Sequence, residues 1–410
     1  MCIKYEIIMI NEDFDVLKKW MFGSLSSLLD NIPSNPNLKV LKMSIGEPQL
    51  GPPKFIRNQF DHFFDEWGKY PPSDPIPVLS DAIKIYLNKR FPGSEKIINF
   101  DKNIVPVPGT REALHLVGLI SKNKKKKNPV AILTNPFYHA WRAGAIESGS
   151  KIIWINANKD NNHNPNLENL SEETLEATTI MYLCFPSNPH GALADIEYLK
   201  KAVKMAKKYD FILAVDECYI DIYRTYLQKP IGILDALIEM QSNLDNVIIF
   251  NSLSKRSNVP GLRAGFILGD EKLISVYKLL VSNGASPVPI PIQNIAASLY
   301  ENEQHNFETC LHYDKNFKIA KDLLKETHPN LIIPKAGFYL WLPVKDDLKV
   351  ALDLWTDYSV RVMPGTFMAE NISGENPCRG FLRIALVYKE DMIVEALQRI
   401  SDYLKKNNNV

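Results

Sequence analysis

Val247-Ile248-Ile249-Phe250-Asn251-Ser252-Leu253-Ser254-Lys255-Arg256-Ser257-Asn258-Val259-Pro260-Gly261-Leu262-Arg263-Ala264-Gly265 begins as an apolar strand and ends in a turn crowded with functional groups. A lysine stands among serines there, and an arginine follows eight residues later. Hydroxyls at a strand end can hold phosphate oxygens, the Arg263 guanidinium can neutralise phosphate through a planar double contact, and the Lys255 amine can form a Schiff base. Ser252, Ser254, Lys255 and Arg263 therefore suit a phosphorylated aldehyde cofactor. A solvated basic turn between two strands uses the same letters, so the reading depends on what the rest of the chain supplies.

Two other apolar runs end in chemistry. Phe211-Ile212-Leu213-Ala214-Val215 leads into Asp216-Glu217-Cys218-Tyr219. An unpaired carboxylate at a buried strand end is costly, whereas Asp216 opposite a protonated ring nitrogen would make such a cofactor an electron sink. Thr179-Ile180-Met181-Tyr182-Leu183-Cys184-Phe185 leads into Pro186-Ser187-Asn188-Pro189-His190-Gly191. Taken singly, Asn188 suits an Asn-Pro turn and Tyr219 a core aromatic. Upstream, Val105-Pro106-Val107-Pro108 precedes Gly109-Thr110-Arg111, which open a helix continuing through Leu119. Free amides and the positive dipole end at such an N-terminus favour phosphate, although a plain capping turn reads the same. Val130–Thr134 is a strand followed by Asn135-Pro136-Phe137-Tyr138, and Gly380-Phe381-Leu382-Arg383-Ile384-Ala385-Leu386 sets Arg383 among strand-like neighbours. A guanidinium there demands a partner, and a substrate α-carboxylate bound in two parallel hydrogen bonds provides one. Arg379 follows Pro377-Cys378 in a polar loop and is the weaker candidate.

In this order the segments resemble the class I aminotransferases, pyridoxal-phosphate enzymes of fold type I, and the resemblance runs from about Gly46 to Arg383. It implies an α/β fold: a large domain with a mostly parallel sheet between helices, plus a smaller α/β domain built from both termini. It implies pyridoxal 5′-phosphate on Lys255, with Asp216 at the ring nitrogen and Asn188 and Tyr219 at the phenolate oxygen. Tyr138 would stack on the ring. Gly109, Thr110, Arg111, Ser252, Ser254 and Arg263 would hold the phosphate. Ser44-Ile45-Gly46-Glu47-Pro48 resembles the stretch whose glycine approaches the substrate carboxylate held by Arg383 and Asn188, where a side chain would obstruct the substrate. Lys69-Tyr70-Pro71-Pro72-Ser73 matches the element whose tyrosine crosses a subunit interface to the phosphate, which implies a homodimer with shared sites. Within the family the strings are most similar to succinyldiaminopimelate aminotransferases, implying glutamate as donor and an N-succinylated oxo acid as acceptor. Aspartate, prephenate, alanine and aromatic transamination remain open, as do a lyase on the same fold and a silent regulator. Arg111 and Arg142 are candidates for a distal carboxylate by position. Arg111 also fits a backbone role with its side chain elsewhere, and Arg142 a surface residue.

The remainder of the chain agrees. In 410 residues, 48 basic residues against 47 acidic ones give no bias toward nucleic acid or membranes. Alternating strands and helices between Pro106 and Asp270 place cofactor residues at strand ends. The expected division is 1–55 as an N-terminal segment of the small domain, 56–295 as the large cofactor domain, and 296–410 as the C-terminal small domain. The lysine run 122–127 reads as a solvated turn. Five cysteines without a CxxC pair suggest reduced thiols in a cytoplasm, no HExxH metal motif occurs, and Met1–Ile10 lacks a signal-peptide pattern.

Overall fold

The computed structural model describes residues 15, 17–18, 20–123 and 125–407, so Met1–Ile10 lies outside the described residues. Its strands are β1 (Leu41–Lys42), β2 (Ile104–Val107), β3 (Val130–Asn135), β4 (Lys151–Asn156), β5 (Thr178–Cys184) and β6 (Ile212–Asp216). They continue with β7 (Val247–Ser252), β8 (Gly265–Gly269), β9 (Tyr339–Pro343), β10 (Val360–Arg361), β11 (Met363–Pro364) and β12 (Phe381–Ala385). Seven form one sheet in the order β2-β8-β7-β6-β5-β3-β4. The pairs from β4 across to β7 are parallel, while β8 is antiparallel to both β7 and β2. The sheet is therefore mostly parallel, with β8 as the exception. Residues 253–264 make a four-residue helix, Leu253–Arg256, and a tight turn, Pro260–Leu262. They return the chain along the same edge, whereas a parallel return needs a crossover that spans the sheet.

Strands β2, β3, β6, β7 and β8 are buried along their length, because helices cover both faces. Alternate residues enter two cores: Leu213, Val215, Val247 and Ile249 on one face, Ile212, Ala214, Ile248 and Phe250 on the other. Helix Ile196–Tyr209 illustrates the cover. Asp195 caps it by accepting from the Tyr198 amide at 2.8 Å, Leu199, Ala202, Val203 and Ala206 face inward, and the helix ends with Asp210 left-handed at φ 52°. Helices Thr110–Ile120 and His139–Glu147 cross at glycines: a Cβ on Gly118 would lie 2.6 Å from the Gly144 Cα. That close approach packs the two helices backbone to backbone.

A second core joins β9 and β12 to helices Gln304–Leu324, Asp347–Tyr358 and Glu390–Asn407, and includes Leu41 and Met43 from the N-terminal segment. β1 pairs with β10, and the Ala385 amide donates to the Met43 carbonyl at 2.7 Å, which carries Ser44 and Gly46 past the end of β12. In the large sheet, register aligns Cys184 with Asp216 and Asp216 with Phe250, while Val107 and Ser252 both pair with Gly265. Strand ends carrying the motifs thus share one edge.

The lysine run is an exposed turn at Lys122, Lys125 and Lys127, and one of its members is used structurally. Lys126 is partly buried and donates to the carbonyls of Thr178 and Tyr209, at 2.6 and 2.7 Å, capping backbone acceptors at the opposite sheet edge. Cys184, Cys218, Cys310 and Cys378 are free thiols. Among the described residues no helix is long and apolar enough to cross a membrane, and no group of three or more His, Cys, Asp or Glu side chains could hold a metal ion.

Candidate active site

A cavity of about 360 Å³ opens at the motif edge of the sheet. Gly46, Thr110, Arg111, Tyr138, Asn188, Asp216, Tyr219, Ser252, Ser254, Lys255, Arg263 and Arg383, all sequence candidates, line it. Gly109 lies directly beneath Arg263, and Tyr70 is not part of the wall. Tyr70 is 101% exposed, facing away from its own chain.

Lys255 sits in the short helix after β7, where the Ser252 hydroxyl accepts from the Ser254 amide at 3.2 Å and fixes the turn. Its Nζ donates to the Gly46 carbonyl at 2.6 Å, and burial pulls the amine pKa below the ordinary lysine range. Asp216 ends β6. Burial raises its carboxyl pKa, opposed by the Cys218 hydrogen bonds, among them the Cys218 amide donating to Oδ1 at 3.1 Å, and by the Lys255 charge. Arg383 is fully buried in β12. One Nη donates to Asn188 Oδ1 at 3.0 Å, the other to the Ser44 carbonyl at 2.8 Å, and the Tyr339 ring lies 4.3 Å below the guanidinium. With its oxygen turned to Arg383, Asn188 keeps its amide protons for the cavity. Tyr219 Oη lies 3.3 Å from Tyr339 Oη, and burial, then Tyr339, push its pKa well above the ordinary value.

At the other end Gly109 (φ 78°, ψ 157°) caps helix Thr110–Ile120. A Cβ on it would meet Arg263 Nη2 at 2.2 Å, so the guanidinium packs over the bare Cα at the helix N-terminus. Arg263 is itself left-handed, at φ 54°, and donates to the Pro260 carbonyl at 3.0 Å. Thr110 Oγ1 meets Cys218 Sγ at 2.9 Å, tying this loop to the segment after β6.

A Cβ on Gly46 would lie 1.6 Å from Tyr339 Oη, so the protein's own tyrosine already requires glycine there. Two expectations change. The Arg111 side chain does not point elsewhere: it lines the cavity and donates from Nε to Tyr138 Oη at 2.9 Å. Arg142 is neither a surface residue nor part of the cavity wall. It is buried over the Phe137 ring and pairs with Glu370 at 2.7 Å, while Asn135 exchanges two hydrogen bonds with the Glu370 backbone. Residues that the motifs did not reveal also form the wall, chiefly Tyr339, Cys184, His139 and Trp141. Burial and the nearby Arg111 and Arg142 charges lower the His139 pKa to about 4. His139 follows the Asn135–Tyr138 motif directly, so sequence adjacency was its one available signal.

The wall has a cradle that a single Cβ would fill, a desolvated carboxylate, an amide with free protons, and a buried Arg383 Nε without a hydrogen-bond partner. Pyridoxal 5′-phosphate fits these groups with its phosphate, ring nitrogen and phenolate oxygen, and a carboxylate-bearing second molecule fits the arginine. Fold and site together define a pyridoxal-phosphate-dependent transaminase of fold type I. The chain belongs to the aminotransferase class I and II family, whose model matches residues 39–400. It is 29% identical over 396 residues to the LL-diaminopimelate aminotransferase of Natranaerobius thermophilus, covering 94% of this chain and 97% of the relative. The crystal structure of an aminotransferase from Neisseria meningitidis Z2491 superposes with a TM-score of 0.91 at 32% identity, covering 96% of this chain and 100% of that one. Aminotransferase AspB from Helicobacter pylori 26695 gives a TM-score of 0.84 at 30% identity, covering 95% and 98%.

Proposed function

We propose that the enzyme transfers the amino group of glutamate to N-succinyl-2-amino-6-oxopimelate, as a succinyldiaminopimelate aminotransferase. The observation that carries this beyond general transamination is Arg111. Its guanidinium is exposed in the cavity wall and steadied at Nε by Tyr138, leaving its terminal nitrogens available to a remote carboxylate. Both glutamate and the long acceptor carry such a group, and a planar fork suits it. The diaminopimelate name of the relatives supports the same skeleton. It also favours unsuccinylated LL-diaminopimelate as a second reading.

The bound cofactor supplies an aldehyde and an electron-withdrawing ring. In this reading Lys255 would hold it, and the Nζ, its pKa lowered by burial, would take up and return the proton of the substrate α-carbon. Asp216 would keep the ring nitrogen protonated, while Asn188 and Tyr219 would donate to the phenolate oxygen. Backbone amides of Gly109, Thr110 and Arg111, the hydroxyls of Ser252 and Ser254, and Arg263 would hold the phosphate. Arg383 would take the α-carboxylate beside Gly46 and Asn188. The enzyme works as a cytoplasmic homodimer, with the partner subunit's Tyr70 completing the phosphate site, and the small domain (1–55 and 296–410) packs against the large one (56–295).

Steady-state assays with the succinylated substrate, LL-diaminopimelate, aspartate, alanine and tyrosine test the specificity. A kcat/KM for any of the others about tenfold above the succinylated compound, equal to about 1.4 kcal/mol of transition-state binding, would overturn it. Arg111→Gln is expected to raise KM for the dicarboxylic substrates by about tenfold or more and leave alanine within about twofold.

A further inference from the structure

Tyr339 lies in an apolar strand that no motif singled out, and it touches three separate parts of the site. Its hydroxyl is 3.3 Å from Tyr219 Oη, its ring is 4.3 Å from the Arg383 guanidinium, and the same hydroxyl occupies the space that any side chain at residue 46 would need. It is buried, and β9 fixes it by pairing Tyr339 with Ala385, two residues beyond Arg383. Residues of the N-terminal segment, the segment after β6 and the C-terminal strand thus converge on one phenol.

We propose that Tyr339 is a positioning residue of the transamination: its hydroxyl donates to Tyr219 Oη and its ring carries the Arg383 guanidinium, so one side chain sets both the phenolate contact and the carboxylate fork. The inference rests on the reading of Tyr219 as donor to the cofactor's phenolate oxygen. With the Tyr219 proton committed there, the proton between the two hydroxyls belongs to Tyr339. A phenol that receives a hydrogen bond is a stronger donor in turn, so Tyr339 strengthens the Tyr219 contact. The ring acts independently of the hydroxyl, supporting the Arg383 guanidinium from 4.3 Å.

The two roles separate on substitution, using the purified holoenzyme. Tyr339→Phe keeps the ring and removes the hydroxyl, so the pH midpoint of the bound cofactor's visible absorbance is expected to rise by about half a unit or more, because a weaker phenolate contact favours the protonated form. KM for the amino acid is expected to stay within about threefold. Tyr339→Leu removes both and is expected to add a rise in KM of about tenfold or more, while the phenylalanine variant decides the hydroxyl role on its own. Asp216, Cys184, Cys218, Glu47, Lys255 and Arg383 also line this space and are left unchanged. Tyr219→Phe is the reference and is expected to raise the midpoint further. Movement in Tyr219→Phe with none, or a fall, in Tyr339→Phe overturns the inference alone. No movement in either variant overturns the Tyr219 reading together with it.

Discussion

Gly109→Ala tests how the phosphate end is built. At φ 78° and ψ 157° the residue occupies a region essentially reserved for glycine, and alanine there costs about 1–3 kcal/mol of backbone strain. The new methyl would also lie 2.2 Å from Arg263 Nη2 and 2.6 Å from Cζ. A guanidinium can swing away, so the fold loses only the strain, but Arg263 leaves the helix N-terminus. One charge-assisted contact is worth about 1.5–3 kcal/mol, which lowers cofactor affinity by about 10- to 150-fold. Thermal unfolding of the apoenzyme reads the first loss, and titration of the apoenzyme with pyridoxal phosphate, followed by visible absorbance, reads the second. The cycle with Arg263→Ala separates them: in that background Gly109→Ala keeps its cost in stability and loses its effect on affinity. Additive losses in affinity, or a cofactor Kd within about twofold of wild type in Gly109→Ala, would refute the cradle.

Arg383→Lys is expected to weaken substrate far more than cofactor, by about 2–3 kcal/mol or about 30- to 150-fold in half-reaction titrations, since an ammonium cannot span Asn188, Ser44 and a carboxylate together. Equal losses for both ligands would count against it. Burial holds the Glu217 carboxyl up at about 8 against an ordinary 4.5, so the folded chain binds the extra proton between those values and its stability falls as pH rises through them. Tm measured from pH 5 to 8 is expected to decline less steeply in Glu217→Gln than in wild type; parallel curves would contradict the assignment. Mixing Lys255→Ala with Tyr70→Phe is expected to regain activity, because half of the mixed dimers' sites then carry neither defect. No recovery after verified subunit exchange would mean that Tyr70 serves its own chain.

What could be read from the chain was whatever stood out against an apolar background. Lys255, Asp216, Asn188 and Arg383 are polar residues within or just after buried strands, where their cost signals a use. The apolar strands running into Lys255, Asp216 and Asn188, alternating with helices, also announced the α/β sheet. Tyr339 gave no such signal, since a tyrosine inside Gly337–Leu342 looks like core until Gly46, almost three hundred residues earlier, is packed against its hydroxyl. Arg142 misled for the same reason: its partner Glu370 is remote in sequence, so a charged helix residue read as surface. The antiparallel course of β8 depends on how the lysine turn closes on itself, and strand-helix alternation does not encode that.

Gly265 has a further consequence through its double pairing with Val107 and Ser252. The phosphate loop and the lysine turn are both measured from this one residue, and a Cβ on it would lie 2.4 Å from the Asn251 carbonyl, so it cannot yield. Inserting or deleting one residue between Lys255 and Arg263 would flip the alternation of β8 or pull the arginine off the helix start, changing geometry without changing any functional group. The turns at the other edge, before β6 and β7, contribute no residue to the cavity wall. Chain length is thus a catalytic parameter at one end of the sheet and a matter of stability at the other.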